Sequence, residues 1–72
     1  MNKLQFAHKN GFNSYLDMQI SSKVVYKDAS TWLVTRTNDG FLAWSDNAFD
    51  KPLGYFDTFD QAKREILDEK HF

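Results

Sequence analysis

Seventy-two residues with a net charge of −1 bound the answer to one small domain. The chain has no cysteine, which excludes a disulfide and a thiolate zinc site and fits a reducing cytoplasm. No apolar run nears the roughly 20 residues that cross a bilayer, and polar residues recur through Met1–Asn10, so neither a membrane span nor a signal peptide is expected. A chain of this size buries only about 60% of its unfolded surface. Seven Phe, three Tyr and two Trp offset this by supplying large burial per residue. Charge is unevenly spread. Residues 1–36 hold five basic against two acidic side chains, a balance of +3, and residues 37–72 hold four against eight, a balance of −4. Such a split can orient a partner.

At the N-terminus Leu4, Phe6 and His8 alternate with polar or small residues, which predicts a strand. Asn10-Gly11 is a turn signal, because both residues tolerate positive φ. Phe12, Leu16, Met18 and Ile20 then share one parity, which predicts a second strand and an N-terminal hairpin over residues 1–20. A three-residue loop, Lys9-Asn10-Gly11, would place Leu4, Phe6, Phe12, Leu16 and Met18 on one face, and a one-residue slip would invert them. A helix carrying Phe12, Leu16 and Ile20 on one face is the competing reading of residues 12–20.

Val24-Val25-Tyr26 and Trp32–Thr37 are β-prone runs. Asn38-Asp39-Gly40 is a turn from which Phe41–Ser45 returns. A three-residue loop there pairs Thr37 with Phe41. It sets Trp32, Val34, Leu42 and Trp44 on one face, with Leu33, Thr35, Phe41 and Ala43 on the other. Asp46–Lys51 reads as a polar loop closed by Pro52, which is tolerated at the start of a short strand, Leu53–Phe56.

Leu53–Lys63 is the most informative stretch. Thr58 stands where an N-cap belongs and Gln61 follows three residues later, the pattern of a capping box. Asp57 and Asp60 add negative charge at the positive end of the helix dipole. The helix is expected from Phe59 to about Glu69, with Phe59, Ala62, Ile66 and Leu67 as its apolar stripe. Asp60 and Arg64 are spaced for an i,i+4 pair, and Lys70 and His71 stand near the negative helix end. The fold class expected is α+β: an antiparallel sheet of four to five strands with one C-terminal helix packed on one face.

Catalytic chemistry finds little support. His8 and His71 are far apart, Asp46, Asp50 and Asp57 lack the spacing of a calcium loop, and no Gly-rich phosphate loop surrounds Gly40 or Gly54. No enzyme activity, metal or cofactor is expected. The candidate binding surface is Lys23, Lys27, Trp32, Arg36, Phe41 and Trp44, aromatic rings on strands with cations nearby. Such rings could stack nucleic-acid bases at about 1–3 kcal/mol each, or they could be core.

Leu53-Gly54-x-Phe56-Asp57-Thr58-x-x-x-Ala62 resembles a stretch of the Apetala/ethylene-response-factor type of DNA-binding domain, and the arm-binding domains of tyrosine recombinases are similar. Trp32 in a strand, followed by Arg36 and a Gly-containing turn, extends the likeness over about residues 26–67. The resemblance implies a three-stranded sheet with a packed helix, the sheet entering the DNA major groove. This chain departs from it in having few Arg residues, a longer acidic loop at 46–52, and twenty leading residues with no counterpart. Fold does not fix function. The leading functional expectation is therefore a non-enzymatic module that binds a protein partner, of the kind phages and mobile elements use to modulate host machinery. Nucleic-acid binding through the sheet is the alternative, and self-association through a strand edge is a third.

Overall fold

A computed structural model of the chain describes residues 1–70. Asn2 is followed three residues later by Gln5, the same helix-start chemistry as Thr58 and Gln61. The Gln5 N–H donates to Asn2 Oδ1 at 2.8 Å, and the Asn2 N–H donates to Gln5 Oε1 at 2.9 Å. This capping box opens helix α1, Lys3–Lys9. The helix stops at Asn10-Gly11. The Phe12 N–H reaches back to the Ala7 carbonyl at 2.9 Å and the Gly11 N–H to the His8 carbonyl at 3.1 Å, with Gly11 at φ +88°. These two bonds are a Schellman stop.

The N-terminal hairpin expected over residues 1–20 is thus a pair of short helices. Gly11 is left-handed as the hairpin required, but a helix C-terminus needs the same backbone conformation. Ser14 caps the second helix, α2, Tyr15–Ile20, its Oγ accepting the Asp17 N–H at 3.1 Å. The competing helix reading of residues 12–20 has the right type here but the wrong face. Met18 is fully buried and Tyr15 half-buried, whereas Leu16 and Ile20 point outward.

Four antiparallel strands follow in the order β1 (Ser22–Lys27), β2 (Thr31–Thr37), β3 (Gly40–Ser45), β4 (Gly54–Phe56). The β2–β3 turn holds only Asn38 and Asp39, because Thr37 pairs with Gly40 and Arg36 with Phe41. That is one residue away from the register expected from a three-residue loop. The true faces are Leu33, Thr35, Leu42 and Trp44 on one side, and Trp32, Val34, Arg36, Phe41 and Ala43 on the other. Gly40 is required twice over. Its φ is +121°, and a Cβ there would lie 2.7 Å from the Phe56 carbonyl oxygen.

Helix α3, Phe59–Lys70, closes the chain. The Gln61 N–H donates to Thr58 Oγ1 at 3.1 Å, as the cap requires. The Gln61 amide oxygen accepts from Asp57 N at 3.1 Å, one residue earlier than the capping box predicts. Ala62 and Ile66 are fully buried, Phe59 is half-buried and Leu67 is exposed, so the stripe is narrower than expected. His71 lies outside the described residues.

The sheet is covered on both faces. On the first, Phe6, Ala7 and Met18 from α1 and α2 pack on Leu33, Leu42 and Trp44, with Phe12, Tyr15 and Phe49 around them. On the second, Ala62 and Ile66 of α3 pack on Val34 and Ala43, ringed by Val25, Tyr26, Trp32, Phe41, Leu53, Phe56 and Phe59. The α+β class with an antiparallel sheet and a packed C-terminal helix stands, and α1 and α2 add a third layer.

Candidate functional site

The register decides where the six candidate residues go. Three of them meet on the α3 face. Lys23 Nζ sits 5.8 Å from the Phe59 ring centroid and the Arg36 guanidinium 5.9 Å from that of Phe41. The two rings face each other edge-on at 6.5 Å. Lys23 and Arg36 are exposed and the rings half-buried. Each cation therefore lies over a ring, which an exposed pair of this kind values at about 0.5–1 kcal/mol. Trp32 is half-buried on the same face.

Lys27 and Trp44 do not join them. A bulge at Val25, between Val24 and Tyr26, resets the alternation, so Lys27 pairs with Thr31 at the end of β1 and belongs to the opposite face. Trp44 is fully buried on that face, against Phe6 at 5.1 Å and Tyr15 at 5.8 Å. It is removed from the candidate surface, because the sheet needs its largest ring as core. α1 and α2 pack on one face of the sheet and α3 on the other.

The Trp44 face also carries a chain of buried polar groups. Trp44 Nε1–H donates to Thr35 Oγ1 at 2.8 Å, and the Ser22 hydroxyl donates to the Met18 carbonyl at 2.6 Å. Thr35 and Ser22 are hydrogen-bonded to each other. With the Ser22 proton committed to Met18, the Thr35 hydroxyl donates to Ser22. Every member is satisfied, and the chain ties β3, β2, β1 and the end of α2 together. A second tie joins β4 to α1: Tyr55 OH donates to Oδ1 of buried Asn10 at 2.6 Å, and Asn10 Nδ2 donates to the Phe6 carbonyl at 2.9 Å. Burial, with Asp39 nearby, raises the Tyr55 pKa above 10.0. Burial, with Asp46 nearby, does the same for Tyr15.

Among the described residues no three His, Asp or Glu side chains gather as a metal site would require. His8 is exposed, with Nε2 3.2 Å from the Asn13 carbonyl oxygen. An open groove of about 240 Å³ on α3 is lined by Asp60, Lys63, Arg64 and Leu67. Its side chains recur at offsets of three, four and seven, so it is the outer helix surface. No helix among the described residues is long and apolar enough to cross a membrane.

What the sequence reading missed is the outer surface of α2 and β1. Ile20 is 73% exposed, Leu16 63% and Val24 59%, and Leu4 on α1 is 51% exposed. Leu16 and Ile20 are one turn apart on the side of α2 away from Met18. Val24 shares the sheet face on which α2 lies, as its pairing with Leu33 shows. Ser14 is a residue type that caps helices, and in a helix that starts after it Tyr15 and Met18 point one way and Leu16 and Ile20 the other. By element, the basic excess of the first half falls on α1, with Lys3 and Lys9, and on β1, with Lys23 and Lys27, whereas α2 carries only Asp17 and α3 four acidic against three basic side chains. Comparison with protein-family models, with curated proteins and with solved structures finds no match.

Proposed function

We propose that the chain is a non-enzymatic binding module that acts through a protein partner, reached through Leu16, Ile20 and Val24. The observation that supports this most directly is the exposure of these three side chains, 63%, 73% and 59%, in a domain short of apolar surface to bury. Single exposed apolar residues are ordinary, but a cluster on adjacent elements marks an interaction surface. The ammonium groups of Lys23 and Lys27 lie on the same edge strand and would steer an encounter.

A photo-crosslinking side chain at position 20, with position 68 on α3 as control, tests the reading in extract of the native source. A discrete protein adduct at position 20 that disappears with Leu16→Asp is expected. Equal labelling from both positions would remove the surface. A titration with mixed-sequence duplex DNA at low and moderate salt separates the alternative. Saturable, salt-steep binding that weakens in Lys27→Ala and Arg36→Ala would transfer the function to nucleic acid, with each lost phosphate contact lowering the salt slope by about one.

A further inference from the structure

Asn10-Gly11 lies between the two helices of the N-terminal layer and carries a chemistry that neither the core nor the docking surface uses. Five asparagines occur in the chain, and Asn10 is the one followed by glycine. A glycine nitrogen has no side chain beside it to shield it, so it is the backbone nitrogen best able to attack the side-chain amide before it. We infer that Asn10-Gly11 is a modification site gated by the fold. Its amide is protected while α1 is docked and converts to a carboxylate when the layer of α1 and α2 opens, which makes that opening irreversible.

The reaction balances with water alone. The Gly11 nitrogen bonds to Asn10 Cγ, the amide nitrogen leaves as ammonia together with the Gly11 proton, and a five-membered succinimide remains. Water then opens one of its two carbonyls. Position 10 is left with an aspartyl residue or with an isoaspartyl residue, whose main chain runs through Cβ.

Three features of the folded chain oppose ring closure. The ring requires the Gly11 nitrogen to eclipse Cβ about the Cα–C bond of Asn10. At the observed ψ of 10° it nearly eclipses the Asn10 nitrogen instead. The nucleophile is also committed, because the Gly11 N–H donates to the His8 carbonyl at 3.1 Å and must give up that bond to lose its proton. The amide itself is held at both atoms. Asn10 is only 4% exposed, Nδ2 donates to the Phe6 carbonyl at 2.9 Å, and Oδ1 accepts from Tyr55 OH at 2.6 Å. Closure therefore waits for a local opening that frees all three. Helices of seven and six residues make such an opening accessible, since helices this short depend on their tertiary contacts.

The product does not fit the place the amide leaves. In the aspartyl form a carboxylate oxygen replaces the Nδ2 donor and meets the Phe6 carbonyl, acceptor against acceptor, with a charge in a buried position. The isoaspartyl form lengthens the main chain by one atom at the end of α1, out of step with the Gly11–His8 and Phe12–Ala7 bonds that stop the helix. Leu16 and Ile20 stand on α2 in the same layer. Conversion would thus also remove the docking surface proposed above, a consequence that rests on that reading, whereas the modification does not.

Peptide mapping of the full chain by mass spectrometry is the test, after incubation at mildly alkaline pH with and without guanidinium chloride, with fragment ions separating Asn10 from Asn13. Conversion at Asn10 should be at least about tenfold slower in the folded chain than in denaturant. Tyr55→Phe, which removes one of the bonds holding the amide, should raise the folded-state rate about two- to tenfold and leave the rate in denaturant unchanged. Asn10→Asp, which supplies the aspartyl product directly, should speed amide exchange over residues 3–20 by at least about tenfold while α3 exchanges as before. Equal conversion with and without denaturant, or a folded-state rate indifferent to Tyr55→Phe, would overturn the gate. An Asn10→Asp chain whose residues 3–20 exchange like the parent's would overturn the irreversible opening. Where a variant does not fold, the unsubstituted chain with and without denaturant decides.

Discussion

The two faces of the sheet are held by different means. On one face a single twelve-residue helix, α3, packs Ala62 and Ile66 on Val34 and Ala43 of the sheet. On the other, two helices of seven and six residues are fixed by a group of aromatic rings and by buried hydrogen bonds. Phe6, Tyr15, Trp44 and Phe49 meet at centroid distances of 5.1 to 6.0 Å. Helices shorter than about 12–15 residues are marginal by themselves in water. The short pair therefore depends on tertiary anchors, and the anchors are polar as well as apolar. The cost is an incompletely covered layer that leaves Leu16, Ile20 and Val24 in solvent.

The sharpest test of this contrast is truncation at the centre of each face. Trp44→Ala should cost about 3–5 kcal/mol, and Ile66→Ala about 2–5 kcal/mol, in chemical denaturation. The Trp44 variant should lose α1 and α2 first, seen as early amide exchange confined to residues 3–20, whereas Ile66→Ala should loosen α3. Uniform exchange in both variants would mean the faces are not separable. Thr35→Val comes next. It strips the acceptor from Trp44 and the donor from Ser22 with little change of shape, so a loss of about 1–3 kcal/mol is expected. A neutral result would show that the polar chain does not anchor α2.

The helix starts give a smaller effect. Thr58→Ala and Asn2→Ala should each cost about 1 kcal/mol if both caps hold the folded state equally. A cost at Thr58 alone would mean that α1 is held by packing and not by its cap. Alkaline pH gives the smallest effect. Burial raises the folded-state pKa of Tyr15 and of Tyr55 above 10.0. The unfolded chain therefore loses these protons first, and the stability they contribute, full below pH 10.0, is lost as pH rises past it. The melting temperature should fall above that pH and fall less in a Tyr15→Phe, Tyr55→Phe double variant. The single variants should differ at neutral pH. Tyr55→Phe removes a bond to Asn10, whereas the buried Tyr15 hydroxyl has no hydrogen-bond partner among the described residues, so Tyr15→Phe should be neutral or stabilising.

Much of the C-terminal half was legible in the sequence. The strands around Asn38–Gly40, the short strand before Asp57 and the Thr58 cap all stand at or within a residue of their expected places, because turn and cap residues act locally. The candidate site was less legible. Lys23, Arg36 and Phe41 do come together, but Trp44 and Lys27 were assigned to a surface that the register takes apart. Both faces of β2 and β3 are apolar, so alternation offers no signal for which way a strand points, and a turn shortened by one residue exchanges the two sides.

By itself the sequence determined several joints of this protein: Gly11 at positive φ, the turn at Asn38–Gly40, Thr58 as a cap, and a helix after it. The backbone chemistry of those residues is complete within a few positions of each. Only the tertiary structure decided what lies between Lys3 and Ile20 and which side chains face solvent. An alternating strand and a two-turn helix present nearly the same short run of apolar residues. The choice between them falls to contacts made far along the chain, with Trp44, Phe49 and Tyr55.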